Sequence, residues 1–178
     1  MTCGTESSRV TVRRLYLLRH AKSDWDALYG SDHDRPLSAR GRRAASTVGR
    51  FLGRQPQPPQ TAVSSTAVRA RNTIEIALQD GGLRCRLRLD DRLYGASVET
   101  LLAVAWECED ESSSLILVGH EPTWSAAAGR LVGSAEIRMV TGSLARIDLP
   151  IESWRDARWG SGSLRWLVTP KLLQRFGG

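Results

Sequence analysis

Two of the chain's three histidines stand at the carboxyl ends of apolar runs. Leu15-Tyr16-Leu17-Leu18 leads into Arg19-His20, and Leu115-Ile116-Leu117-Val118 leads into Gly119-His120. Between them, Thr61-Ala62-Val63-Ser64 ends at Ser65, with Arg69 one turn into the segment that follows. If the three runs are strands of one sheet, two imidazoles and two guanidiniums meet at one edge of it. That set suits phosphoryl transfer. Guanidinium groups match phosphoryl oxygens with paired donors. A neutral imidazole nitrogen is a competent nucleophile, and nearby arginines disfavour its protonation. A second histidine can donate to an oxygen as charge builds on it, and backbone N–H groups at a helix start after His120 would face the same anion. Taken singly, each feature reads as a strand terminus, a solvated helix arginine or a glycine turn. Their coincidence at one sheet edge favours the functional reading.

The elements that must position these residues follow from periodicity. The two Leu/Ile/Val-rich runs are continuous rather than alternating, as expected of strands buried on both faces. Thr61 to Ser64 reads as another strand, Arg86-Leu87-Arg88-Leu89 alternates like an edge strand, and Leu144–Leu149 and Leu164–Val168 read as two more joined by a loop. Ser38 is placed to cap a helix whose apolar face is Ala45, Val48, Phe51 and Leu52, broken by the prolines of residues 55–60. A second helix spans Val68 to Leu78. Ser97 caps a third, marked by Val98, Leu101, Leu102, Ala105 and Trp106 at helical spacing. A fourth runs from Pro122, in its first turn, to about Val132. Trp154, Trp159 and Trp166 are expected to cover a sheet edge. The expected fold is a three-layer α/β/α sandwich with a mostly parallel central sheet, and ligands in such folds bind at the carboxyl ends of the strands.

Composition bounds the rest. A length of 178 residues suits one domain, 14–178, behind a loose tail of residues 1–13. The tail lacks an apolar signal core and no run approaches a membrane span, so the expected location is cytoplasmic, with no membrane partner. Cys3, Cys85 and Cys108 show no C-x-x-C spacing and read as reduced thiols, with neither a metal nor a disulfide framework implied. The net charge of +6 comes almost wholly from arginine. With no concentrated basic run or nucleic-acid motif, a solvated basic surface is expected rather than specific nucleic-acid binding.

Beyond these residues, the chain resembles the histidine phosphatase (phosphoglycerate mutase-like) superfamily. Leu17-Leu18-Arg19-His20-Ala21 is similar to its Arg-His-Gly signature, and Arg19-His20-Ala21-Lys22-Ser23 more narrowly resembles the SixA branch of phosphohistidine phosphatases. Asp34-Arg35-Pro36-Leu37-Ser38 followed by Gly41, Ser64-Ser65-Thr66-Ala67-Val68-Arg69-Ala70-Arg71-Asn72-Thr73, and Gly119-His120-Glu121-Pro122 resemble further segments, in order. The resemblance implies that His20 is transiently phosphorylated, that Arg19, Arg69 and His120 form the phosphate pocket, and that no cofactor takes part. Ala21 stands where the family more often has Gly. Asp91-Arg92-Leu93-Tyr94-Gly95 looks like a Glu-Arg-x-Tyr-Gly segment whose carboxylate donates a proton in members acting on sugar phosphates, so Asp91 is a candidate acid; its other reading is a solvated loop carboxylate. Lys22 is a further candidate for phosphate contact. His33 matches no motif and reads as a surface residue.

The leading expectation is a metal-independent phosphatase acting on phosphohistidine of a protein of the histidine phosphotransfer type. A small phosphomonoester substrate, a mutase, a phosphate-binding or scaffold protein without turnover, and nonspecific nucleic-acid binding are the alternatives.

Overall fold

The structure is a computed structural model and describes residues 11–176. Six strands form one sheet: β1 (Arg13–Arg19), β2 (Thr61–Ser65), β3 (Arg86–Asp90), β4 (Ser114–Gly119), β5 (Leu144–Leu149) and β6 (Ser163–Val168). Their order across the sheet is β3-β2-β4-β1-β5-β6. The first four strands are parallel, β5 pairs antiparallel with β1, and the edge strand β6 pairs antiparallel with β5.

The helices lie on both faces: α1 (Ala39–Gly53), α2 (Val68–Asp80), α3 (Val98–Trp106), α4 (Thr123–Leu131) and α5 (Pro170–Arg175). Strand side chains alternate between the faces. Leu15, Leu17, Leu115 and Leu117 therefore pack under α3 and α4, whereas Tyr16, Leu18, Ile116 and Val118 pack under α1, α2 and α5. Both faces being covered explains why these runs are continuously apolar. The Tyr16 hydroxyl, at the foot of its face, donates to the Gln57 carbonyl at 2.7 Å. Ser38 and Ser97 cap α1 and α3 as expected, accepting from Gly41 and Thr100 backbone N–H groups. The short α5, capped by Thr169, carries too few apolar positions to show helical periodicity in the sequence.

Three expectations need amending. The tail expected over 1–13 ends sooner than its boundary. Arg13 opens β1 and is buried, its guanidinium donating to the carbonyls of Glu152, Asp110 and Ser112; residues 1–10, with Cys3, lie outside the described residues. Of the tryptophans, only Trp166 sits on the edge strand, packed against Tyr16 and Phe51. Trp154 is fully buried on the α3/α4 face, where Trp159 also packs, because its indole N–H reaches the Ser112 carbonyl and leaves no polar group to expose.

Candidate functional site

Adjacent strand ends bring the site together. β1 and β4 pair in register through Arg19 and Gly119, so the next residues, His20 and His120, emerge side by side with ring centroids 5.0 Å apart. The His20 backbone N–H donates to the Gly119 carbonyl at 3.0 Å, closing the pair. β2 lies on the other side of β4, and its end delivers Ser65 and then Arg69 in the first turn of α2. Gly119 is required here. A Cβ would fall 2.1 Å from the ring of Trp124, which is fully buried and donates to the Leu117 carbonyl.

The His20 ring is fixed. Its Nδ1 lies 2.8 Å from the Ala21 carbonyl. A carbonyl can only accept, so Nδ1 carries the proton and Nε2 keeps its lone pair. Burial drives the ring pKa down to about 4; the Ala21 bond opposes this, while Arg69, Arg19 and Arg35 add to it. The arginines foreseen from the sequence thus act in the expected direction but second to burial. Ala21 itself is enclosed, its N–H donating to Thr73 Oγ1 and Thr73 donating in turn to the Arg69 carbonyl. The nucleophile loop and α2 are thereby tied together.

His120 is likewise held neutral, its pKa lowered to about 3 by burial, then by His20 and Arg69. Its Nε2 lies 2.9 Å from Ser65 Oγ. That oxygen also accepts the Ala67 N–H, and its own hydroxyl hydrogen can point at His120 Nε2, an arrangement that puts the ring proton on Nδ1. Nδ1 is buried without a partner, as are Arg19 Nε and Arg69 Nε. Buried polar groups without partners cost free energy, and outside this site Arg14 Nε, Arg71 Nε and Ser143 Oγ share that condition. His120, Arg19 and Arg69 are the residues expected to surround phosphate. The remaining Arg19 contact anchors its Nη1 on the Met139 carbonyl at 2.7 Å.

Arg69 is oriented by a residue that the sequence did not single out. Asp32, in a short 3-10 turn (Asp32–Asp34), accepts from Arg69 Nη2 through its carboxylate at 2.9 Å and from Nη1 through its carbonyl at 2.5 Å. The same carboxylate holds Arg35 at 2.8 Å and receives the Tyr94 hydroxyl at 3.0 Å. Arg35, almost fully buried, also donates to Ser23 and stacks on Trp25 at 3.5 Å. The Asp34-to-Ser38 segment therefore contributes a guanidinium beside His20, a role that a motif match alone does not reveal. His33 is not a free surface residue. Its Nε2 meets Thr66 Oγ1 at 2.9 Å, and its ring packs edge-on against Tyr94, which packs edge-on against His120. Tyr94 and His33 thus form one lip of the site.

Two candidates stay outside this network. Asp91 opens the turn that leads to Tyr94; it is exposed, and among the described residues its carboxylate has no hydrogen-bond or ion-pair partner. The neighbouring Asp90 is the buried acid, held by Arg92. Lys22 is exposed and lines a groove beside the site, its carbonyl accepting from Ser38 at the start of α1. Gly41 admits that approach, since a Cβ there would lie 2.0 Å from the Lys22 carbonyl oxygen. No group of three or more His, Cys, Asp or Glu among the described residues could hold a metal ion, and no helix there is long and apolar enough to cross a membrane.

Known proteins resemble this chain in fold and sequence. The model of the histidine phosphatase superfamily, branch 1, matches residues 15–111. An uncharacterised chloroplastic protein of Arabidopsis thaliana is 34% identical over 171 residues, 89% of this chain and 78% of that one. The proposed phosphohistidine phosphatase SixA of Nakamurella multipartitia has the same fold with a TM-score of 0.77 and 31% identity, over 89% of this chain and 96% of that one. Its counterpart from Agrobacterium tumefaciens gives 0.74 and 28%, over 89% and 98%. The chain belongs to the histidine phosphatase superfamily, branch 1.

Proposed function

We propose that this chain hydrolyses phosphohistidine carried on a protein, through a covalent phosphoryl intermediate on His20 Nε2. The observation that carries the reading is the His20 ring itself. Its Nδ1 proton is committed to the Ala21 carbonyl, and its Nε2 lone pair is kept free by burial among guanidiniums. In the first step Nε2 attacks phosphorus as the substrate N–P bond breaks, and the departing imidazole leaves with its proton. Arg19 and Arg69 match the equatorial oxygens, and His120 Nδ1 donates to one of them as charge builds. In the second step water attacks the His20 phosphoryl group. Orthophosphate leaves, and Nε2 recovers its lone pair. No residue need protonate an alkoxide, because a protonated imidazole is already a good leaving group.

Likeness to the two SixA structures supports the phosphohistidine substrate, and a partner of the histidine phosphotransfer type follows from it. A small phosphomonoester is the second reading, favoured by the unpartnered Asp91 carboxylate at the head of the Tyr94 turn. The thiols of Cys85 and Cys108 are free, which suits a reducing compartment such as the cytoplasm. The test is phosphate release from a histidine-phosphorylated phosphotransfer protein, with chelator present. Release by wild type and none by His20→Ala is expected. Release of phosphate only from alkyl phosphate esters would replace the first reading by the second.

A further inference from the structure

The positive charge of this protein is not spread evenly. Several arginines are neutralised by carboxylates. Arg86 pairs with Glu109, Arg88 and Arg92 with Glu107, Arg130 with Glu99, and Arg146 with Asp148. Helix α2 pairs Arg71 with Glu75, but α1 differs. α1 carries Arg40, Arg42, Arg43 and Arg50 and not one acidic residue. Lys22, Arg40 and Lys171 converge on one groove with no carboxylate in its lining, and among the described residues none of the three has an ion-pair partner. Ala44, Val140 and Pro170 add apolar surface to the lining of that groove. A second hollow gathers Arg42, Arg43 and Arg50, with Asp80 as its one acid.

The groove opens beside the nucleophile. Lys22 lies two residues beyond His20. Val140 and Thr141 belong to the loop whose next residue, Gly142, donates its N–H to the His20 carbonyl at 3.0 Å. A chain lying along Lys22, Arg40 and Lys171 would therefore lie next to the backbone that carries His20. Clustered cations without partners raise the local potential and draw an oppositely charged ligand. Apolar residues in the same lining suit a polypeptide segment better than an isolated anion.

We infer that this groove docks an acidic segment of the phosphorylated partner protein, next to its phosphohistidine. The inference rests on the proposed phosphohistidine reading for its partner, but the groove itself is testable without turnover. The measurement is fluorescence anisotropy with a labelled, unphosphorylated Glu/Asp-rich peptide containing one histidine. A Ser/Gly-rich peptide of equal length and a single-stranded DNA oligonucleotide of equal charge serve as comparisons. Wild type should prefer the acidic peptide over the neutral one. That preference should fall steeply with added salt, and Arg40→Glu with Lys171→Glu should weaken acidic-peptide binding about tenfold. The same pair of substitutions should leave hydrolysis of free phosphohistidine unchanged. Equal binding of acidic and neutral peptides, or an acidic preference untouched by the charge reversal, would overturn the docking groove. Binding of the oligonucleotide alone would make the face a nucleic-acid surface instead. Acidic-peptide docking without hydrolysis of any phosphohistidine substrate would keep the groove and sink the phosphohistidine reading.

Discussion

Acidification should destabilise this protein through its site histidines. The His20 pKa lies near 4 in the folded chain, against an ordinary value of 6.5. Above pH 6.5 the ring is neutral in both states and costs nothing. As pH falls below 6.5 the unfolded chain takes up a proton that the folded chain refuses until about pH 4. Stability is therefore lost across that window and levels off beneath it. At pH 5, about 1.5 units below the unfolded value, the loss from His20 alone is about 2 kcal/mol. His120, lowered to about 3 but less enclosed, adds a loss of the same sign. Asp32 and Asp90, whose pKa values are lowered, release their stabilisation only further down, which leaves the interval from pH 8 to 5 to the histidines. Urea unfolding at the two pH values measures the drop, and His20→Asn should remove its own share of about 2 kcal/mol. NMR of the imidazole resonances gives a direct check, with His20 still neutral in the folded protein at pH 5. An undiminished drop in the variant, or a His20 ring that protonates near pH 6.5, would refute the assignment of burial as the dominant cause.

Other perturbations separate positioning from chemistry. Arg69→Ala should cost ~3 kcal/mol of transition-state stabilisation, read in kcat/KM, and Arg69→Lys should recover little because an ammonium cannot reproduce the forked donors. Gly119→Ala places a Cβ 2.1 Å from the buried Trp124 ring, so thermal or urea unfolding should show a loss of ~2 kcal/mol or more from overpacking, with activity falling as His120 shifts. Asp91→Asn should slow alkyl phosphate esters far more than phosphohistidine; equal slowing of both would show that Asp91 is not the leaving-group acid.

What could be read in the sequence depended on the range of the interaction. Continuous apolar runs such as Leu15–Leu18 announce strands covered on both faces, and a serine before a helical pattern announces a cap, because both signals are local. The His20, Arg69 and His120 set was reachable because each follows a recognisable strand end. The Asp32 network was not. It joins Arg69 and Tyr94 across 37 and 62 residues, from a polar loop with no periodicity, so no pattern links its members. Arg35 lay in a matched segment, yet only its burial beside His20 reveals an electrostatic role. His33 was hidden in the same way, because a loop histidine shows its position only through the Thr66 and Tyr94 it meets. Trp154 was misplaced because tryptophan near a strand looks the same whether it covers an edge or fills a face.

The measurement closest to the central claim is trapping of the phosphoenzyme. Wild type mixed with a histidine-phosphorylated phosphotransfer protein is quenched in alkali within the first turnover and mapped by peptide mass spectrometry, with phosphorus NMR to distinguish the two imidazole isomers. A phosphoryl group on Nε2 of His20, absent from His20→Ala, is the predicted result, since Nδ1 is bound to the Ala21 carbonyl. Turnover with the phosphoryl group on another residue, on Nδ1, or with full activity in His20→Ala would contradict the account.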